Sequence, residues 1–260
     1  MTATGTAAPA AAGTGAPSLR RRTWWSALVP LVILAVVAAL LGYVHSIPLD
    51  SIEQRNLTFA HIEKQTWQHI ELTVVSTVLV LLIAIPLGIV LSRKWARVAT
   101  PVVLAITNIG QSAPAVGVIV LLAVVWKIGF WTAVVALVAY SILPSLRNTM
   151  VGLQQIDPAL VDAGRGIGMS SARVLGTVEL PLAVPVILAG VRTTLVLNVG
   201  TAAIATLIGG GGLGDLIVTG IENERQLVTV VGCVLIAALA LIIDWLGGLA
   251  TQALSPKGLS

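Results

Sequence analysis

The sequence predicts an all-α polytopic membrane protein with about six transmembrane helices. Composition is the first reason: 57% of the 260 residues are hydrophobic and only 10% are charged, against about 25% charged in a soluble domain. With a mean hydropathy of +0.98, the chain lacks the polar side chains to cover a water-facing surface, which excludes a soluble enzyme of this length. Spacing is the second reason. Apolar runs lie between the charges, each long enough for the about 20 helical residues that cross a bilayer core. The runs are continuously apolar, without the alternation of a lipid-facing strand, which favours helices over a barrel.

Taken in order, the spans fall near 25–44, 71–91, 101–125, 130–148, 182–208 and 226–248. Residues 1–22 form an Ala/Gly/Thr/Pro-rich tail that cannot bury a core and is expected to be disordered. The first helix, expected over 23–45, follows Arg20, Arg21 and Arg22. Its apolar stretch is too long for a signal-peptide core and no small-x-small site follows, so it reads as an anchor. The 45–69 segment is polar and short enough to be a simple connection, and 251–260 is a short tail.

Basic residues set the orientation. With the N-terminus inside, the inner segments hold Arg20, Arg21, Arg22, Arg93, Lys94, Arg97, Arg147, Arg165, Arg173 and Lys257. The outer segments hold only Arg55, Lys64, Lys127 and Arg225. That asymmetry places both termini in the cytoplasm. The net charge of +4 is a topology signal, and no nucleic-acid partner is implied.

The longest inner segment, 147–181, is the most informative. Asp157-Pro158 reads as a helix start, with Asp as N-cap and Pro at the first helical position. Leu160, Ala163, Gly164 and Ile167 share one face of that helix. Gly166 and Gly168 break it. Ser170 or Ser171 then caps a second short helix carrying Val174, Leu175 and Val178, which ends at Glu179-Leu180-Pro181, and Pro181 opens the fifth span. Physics alone leaves two readings, a compact knob or a loop lying on the headgroups.

Asp162-Ala163-Gly164, Gly168 and Val178-Glu179-Leu180-Pro181 resemble the motif of binding-protein-dependent ABC importer permeases. That motif is Glu-Ala-Ala, three residues, Gly, nine residues, Ile-x-Leu-Pro. The departures are Asp for Glu, Gly for the second Ala and Val for Ile. The stretches GQSAPAVGVI (110–119), YSILPSLRNTMVGLQQIDPALVDAGRGIGM (140–169), VELPLAVPVILAGVRTT (178–194) and ATLIGGGGLGDLIVTGI (205–221) are similar to permeases for osmoprotectants such as glycine betaine, choline, carnitine and proline betaine.

The resemblance implies a type I ABC importer permease fold over 65–250, with 150–181 as a cytoplasmic coupling loop. Asp162, Ala163, Gly164, Gly168, Val178, Leu180 and Pro181 would then dock on an ATPase subunit. It also implies a second permease subunit and an external solute-binding protein. The sequence has no G-x-x-x-x-G-K-[ST] loop, so ATP is expected on a separate subunit and no cofactor on this one. Another cargo, such as methionine or another amino acid, is the nearest alternative. A stand-alone secondary transporter or channel would call for paired ionisable residues in mid-span and an inverted repeat.

Other features are weighed against plainer readings. Gly209-x-Gly211-x-x-Gly214 matches a dinucleotide fingerprint but follows an apolar span, so Gly209, Gly210, Gly211 and Gly212 read as a close-packed break at the outer end of the fifth span, which the resemblance implies sits near a gate. His61 and His69 read as solvated loop residues rather than metal ligands. Ser112 and Ser141 lack a partner His. Glu71 and Asp244 read as interfacial. Arg192 lies deep in the fifth span, where it should face the bundle, a partner or water. A structural role, bonding carbonyls or Asn198, is weighed against a pathway role shared with Gln111 and Asn198.

Overall fold

A computed structural model describes residues 19–254, with side chains from residue 28 onward; most of the expected N-terminal tail and residues 255–260 lie outside the described residues. In order, the helices are α1 (Leu19–Ser46), α2 (Ser51–Asn56), α3 (Phe59–Leu91), α4 (Ala99–Ser112), α5 (Ala115–Val125) and α6 (Phe130–Gln154). They continue with α7 (Pro158–Gly166), α8 (Ser171–Val174), α9 (Leu180–Ala205), α10 (Gly214–Glu222) and α11 (Gln226–Leu254). No strand occurs among the described residues.

Five helices are long and apolar enough to cross a membrane, and α4 with α5, bent by 98°, form a broken span or a re-entrant pair that brings the number to six if counted as one span. The sequence predicts one straight span over 101–125. Pro114 explains the break, because its ring pushes Ala113 out of the helical region, to φ −69 and ψ 146. Each half alone is too short to cross.

Three further boundaries differ from expectation. The 45–69 segment is no simple connection. Asp50 and Glu53 close a capping box on α2, and α3 begins at Phe59 behind the Thr58 cap. A charge gap marks where a helix becomes apolar, not where it starts, so the polar first turns of α3 were invisible to it. At the other edge, α8 does not end before the fifth span. Residues 171–208 run as one helical stretch, passing through a π-helical turn at Leu175–Glu179. A proline ring crowds the carbonyl four residues back, and the wider turn ahead of Pro181 relieves it. Finally, residues 19–22, expected in the tail, belong to α1.

Helices α3, α6 and α9 form the centre. Leu72, Val134, Leu137, Ala202 and Ala205 are buried together at one level, and Val80, Ala84, Leu146 and Met150 at the next. Close contact of α9 with α6 requires Gly190, where a Cβ would sit 2.6 Å from Asn148 Cβ; small residues at such crossings are how membrane helices pack. Polar side chains bridge α9 to α6 and to α3. Ser145 and Thr194 Oγ atoms are 2.8 Å apart, and Asn198 Nδ2 donates to Thr77 Oγ1 at 2.9 Å. Helix α1 leans on α11 through Leu40 and Val44, while Leu31, Val32, Leu34 and Val36 stay exposed, as a lipid-facing side requires. The α7–α8 hairpin projects from one end of the bundle, the knob end; the glycine-rich turn before α10 sits at the far end.

Candidate functional site

The knob is built as its caps dictate. Asp157 Oδ1 accepts from Ala159 N–H at 2.9 Å, Pro158 opens α7, and Ser170 Oγ accepts from Arg173 N–H at 3.3 Å. Between the helices Gly168 adopts φ +87, a left-handed conformation that glycine takes without penalty. Gly164 is the contact point of the hairpin. It is buried, and a Cβ there would come within 3.3 Å of Val174 Cγ2.

The other motif residues divide cleanly. Asp162, Ala163 and Pro181 are exposed, while Val178 and Leu180 are half-buried at the base. Leu160 and Ile167 remain 48% and 76% exposed, so the knob leaves apolar side chains uncovered on one face, with Asp162 and Arg165 on the opposite side of the helix.

Sequence reading missed what anchors the knob. Glu179, only 5% exposed, accepts two hydrogen bonds from Arg93, at 3.1 Å from Nη1 and 2.5 Å from Nη2. This bidentate pair ties the base of the knob to the end of α3. Arg93 had stood only as one more inner cation, and 86 residues of separation hid the partner.

At the far end, the Gly209–Gly212 turn closes onto the first turns of α3. Gly212 N–H donates to Gln65 Oε1 at 3.2 Å and approaches Gln68 Oε1 at 3.4 Å. Gln65 Nε2 in turn donates to Asp215 at 2.9 Å. Gly212 has φ +99, and a Cβ there would lie 3.0 Å from His69 Nδ1. His69 is therefore not a solvated loop residue. It is fully buried, and its Nε2 lies 3.0 Å from the Val199 carbonyl, so that nitrogen carries the proton. No cluster of metal-ligating residues occurs among the described residues.

The mid-span candidates do not converge. Arg192 bonds neither backbone carbonyls nor Asn198; its Nε and Nη2 donate to the two carboxylate oxygens of Asp244. Asp244 is one half of a paired charge between α9 and α11. Asn198 is enclosed and holds α9 to α3. Gln111 is half-buried in the last turn of α4, beside the helix break.

Residues 84–256 match the family described as the binding-protein-dependent transport system inner membrane component. The chain belongs to that family. Among its relatives, the choline transport system permease protein OpuBB of Bacillus subtilis is 38% identical over 195 residues, covering 75% of this chain and 89% of that one. The osmoprotectant import permease protein OsmW of Salmonella typhimurium is 37% identical over 217 residues, covering 81% and 100%. The carnitine transport permease protein OpuCD of Listeria monocytogenes is 37% identical over 198 residues, covering 76% and 88%.

An inward-facing structure of the MetNI methionine ABC transporter superposes with a TM-score of 0.67 at 25% identity, covering 75% of this chain and 96% of that chain. The type I ABC importer permease fold follows. As a binding-protein-dependent permease, the chain is a multi-pass transport subunit and not an enzyme, and it works with an ATP-binding subunit and a solute-binding protein.

Proposed function

We propose that this permease imports quaternary-ammonium osmoprotectants of the choline, glycine betaine and carnitine class. The carrying observation is its 37–38% identity, over three quarters or more of its length, to permeases named for those solutes. The knob end is cytoplasmic on this reading, as the basic residues Arg93, Lys94, Arg97, Arg147, Arg165 and Arg173 require, and both termini share that side. The exposed face of Leu160, Ala163 and Ile167 seats in the ATPase subunit, with Gly164, Gly168, Val178, Leu180 and Pro181 holding its shape and Asp162 meeting the subunit from the other side of the helix. ATP is bound by that subunit alone.

A second permease completes the pathway, and transport proceeds by alternating access. ATP-driven closure draws two knobs together and opens the far side, where Gly209, Gly210, Gly211 and Gly212 form the gate. Gln111, at the broken span, and the Arg192–Asp244 pair line the route, whereas Asn198 supports it by holding α9 against α3.

The test is uptake into proteoliposomes holding the permease, its ATPase and its binding protein. Labelled choline, glycine betaine and carnitine should accumulate with ATP, and methionine should not. Methionine uptake without the others would replace the cargo, and uptake without ATP would replace the mechanism. Cysteines placed at 50–65 should label on intact cells with an impermeant reagent, and those at 150–175 only after permeabilisation.

A further inference from the structure

A cavity of about 620 Å3 opens at the knob end between the end of α3, the start of α4 and the end of α6. The transport scheme gives it no role. Arg93, Lys94 and Arg97 line it, and no carboxylate does. Both oxygens of Glu179, the nearest acid bonded to these groups, are already held by Arg93. Lys94 and Arg97 are exposed and make no ion pair, and the Gln154 amide makes no hydrogen bond, among the described residues. Cations gathered on one cavity without a counter-charge repel one another, and an anion with hydrogen-bond acceptors would relieve that.

The lining also has an apolar part. Leu91, buried, and Leu104, half-buried, line the same cavity together with Pro101, so it offers cations and hydrocarbon surface at once. Next in sequence to the lining residues, Trp95 and Val98 are 75% and 86% exposed. An exposed Trp followed by an exposed Val, flanked by Lys94 and Arg97, is the pattern of a segment lying at headgroup level. A free phosphate would use the cations and leave the apolar part idle. A phospholipid uses both.

We propose that this cavity binds an anionic phospholipid, its headgroup phosphate held by Lys94, Arg97 and Gln154 and its glycerol and upper acyl chain laid against Leu91 and Leu104. Basic cavities between helices at the inner surface recognise acidic lipid in this way. The site needs only a chain seated in a bilayer, so it stands or falls separately from the solute and from the role of the knob.

The test uses the purified full-length chain in detergent, titrated with phosphatidylglycerol or phosphatidylcholine of the same acyl chains and read by native mass spectrometry. Wild type should retain one phosphatidylglycerol in preference to phosphatidylcholine. Lys94→Gln/Arg97→Gln should weaken that lipid about thirtyfold, as expected for two cations at a charged surface, with phosphatidylcholine unchanged. Lys94→Arg/Arg97→Lys should keep the preference.

Equal retention of the two lipids by wild type, or undiminished phosphatidylglycerol binding by the folded Gln variant, overturns the proposal. Displacement of the lipid by an equal concentration of inorganic phosphate would make this a soluble-anion site and overturn it as well. Should the Gln variant not fold, sodium chloride decides on wild type. Binding held by the cations weakens as salt rises, and salt-insensitive binding rules them out.

Discussion

Arg192 on α9 and Asp244 on α11 form a two-pronged ion pair within the membrane-spanning region. Arg192 lies about 18 Å along the helix from Leu180 at 1.5 Å per residue. Alone in lipid, each group would cost about 2.5–3.5 kcal/mol on insertion scales. Pairing cancels the net charge, yet the side chains stay 41% and 39% exposed in the single chain. Their open side faces out of this chain. Gly247 and Gly248 make room for the arginine: a Cβ on Gly247 would stand 3.1 Å from Arg192 Cγ.

Arg192→Leu should lower thermal stability by about 1–3 kcal/mol, between the loss for an exposed pair and that for a buried one. Arg192→Leu/Asp244→Leu should regain most of it, because no charge is then left unpaired. Arg192→Lys keeps the charge but not the fork, and should fall between. Melting curves of the purified variants close the double-mutant cycle. A coupling energy near zero would mean that the pair does not hold α9 to α11.

Much of this was legible in the sequence, for identifiable reasons. Helix caps are local, so Asp157, Pro158 and Ser170 announced the knob, and the apolar runs announced most spans. The Ala113-Pro114 break and the early start of α3 were also local, but a hydropathy count averages over both. Arg93–Glu179, Arg192–Asp244 and Gln65–Asp215 were not legible. Each partner lies 52 or more residues away in sequence, and only the packing of helices decides which charges meet. His69 misled for the same reason: polarity suggested a loop, and the fold buried it.

Glu179→Gln tests the anchor of the knob. The variant leaves Arg93 with a neutral partner in place of a buried carboxylate, which should cost about 3 kcal/mol and loosen the hairpin where it meets α3. Assembly with the ATPase should persist, while ATP hydrolysis stops responding to the loaded binding protein. The charge swap Arg93→Glu/Glu179→Arg should recover part of that response. A fully responsive Glu179→Gln complex would show that the pair serves stability alone.

Asp50 offers a pH test outside the membrane. Its carboxylate caps α2, accepting from the Glu53 and Ile52 N–H groups, and pairs with Arg225 at the α10–α11 turn. The Glu53 N–H foremost, with Arg225 adding, holds its pKa below the usual carboxylate value. A lowered folded pKa means that stability is present above the unfolded value of about 3.9 and lost as pH falls through the lowered one. Asp50→Asn should therefore melt lower than wild type at pH 6, and the gap should shrink in strong acid. A gap that stays constant with pH would exclude ionised Asp50 as its source.

Gly168 is the sharpest test of the knob as coupling element. Its φ of +87 lies where other residues are strained, and a Cβ there would meet nothing within 4 Å. Any effect of substitution must then come from the backbone, without a clash to confuse it. Valine in a left-handed conformation costs about 1–2 kcal/mol, enough to reset the turn. That would shift Met169, whose N–H donates to the Gly164 carbonyl at 3.1 Å, and with it the Gly164–Val174 contact that closes the hairpin. The spans do not depend on this turn, so helix content and membrane insertion should be unchanged in Gly168→Val. Solute uptake should be abolished, through loss of the ATPase on co-purification or through hydrolysis that ignores the loaded binding protein. Gly168→Asn should retain more activity than Gly168→Ala, and Gly168→Val least, following each residue's tolerance for positive φ rather than its size. Normal uptake by the valine variant, or an order that follows side-chain volume instead, would return residues 157–181 to a surface loop with no part in coupling.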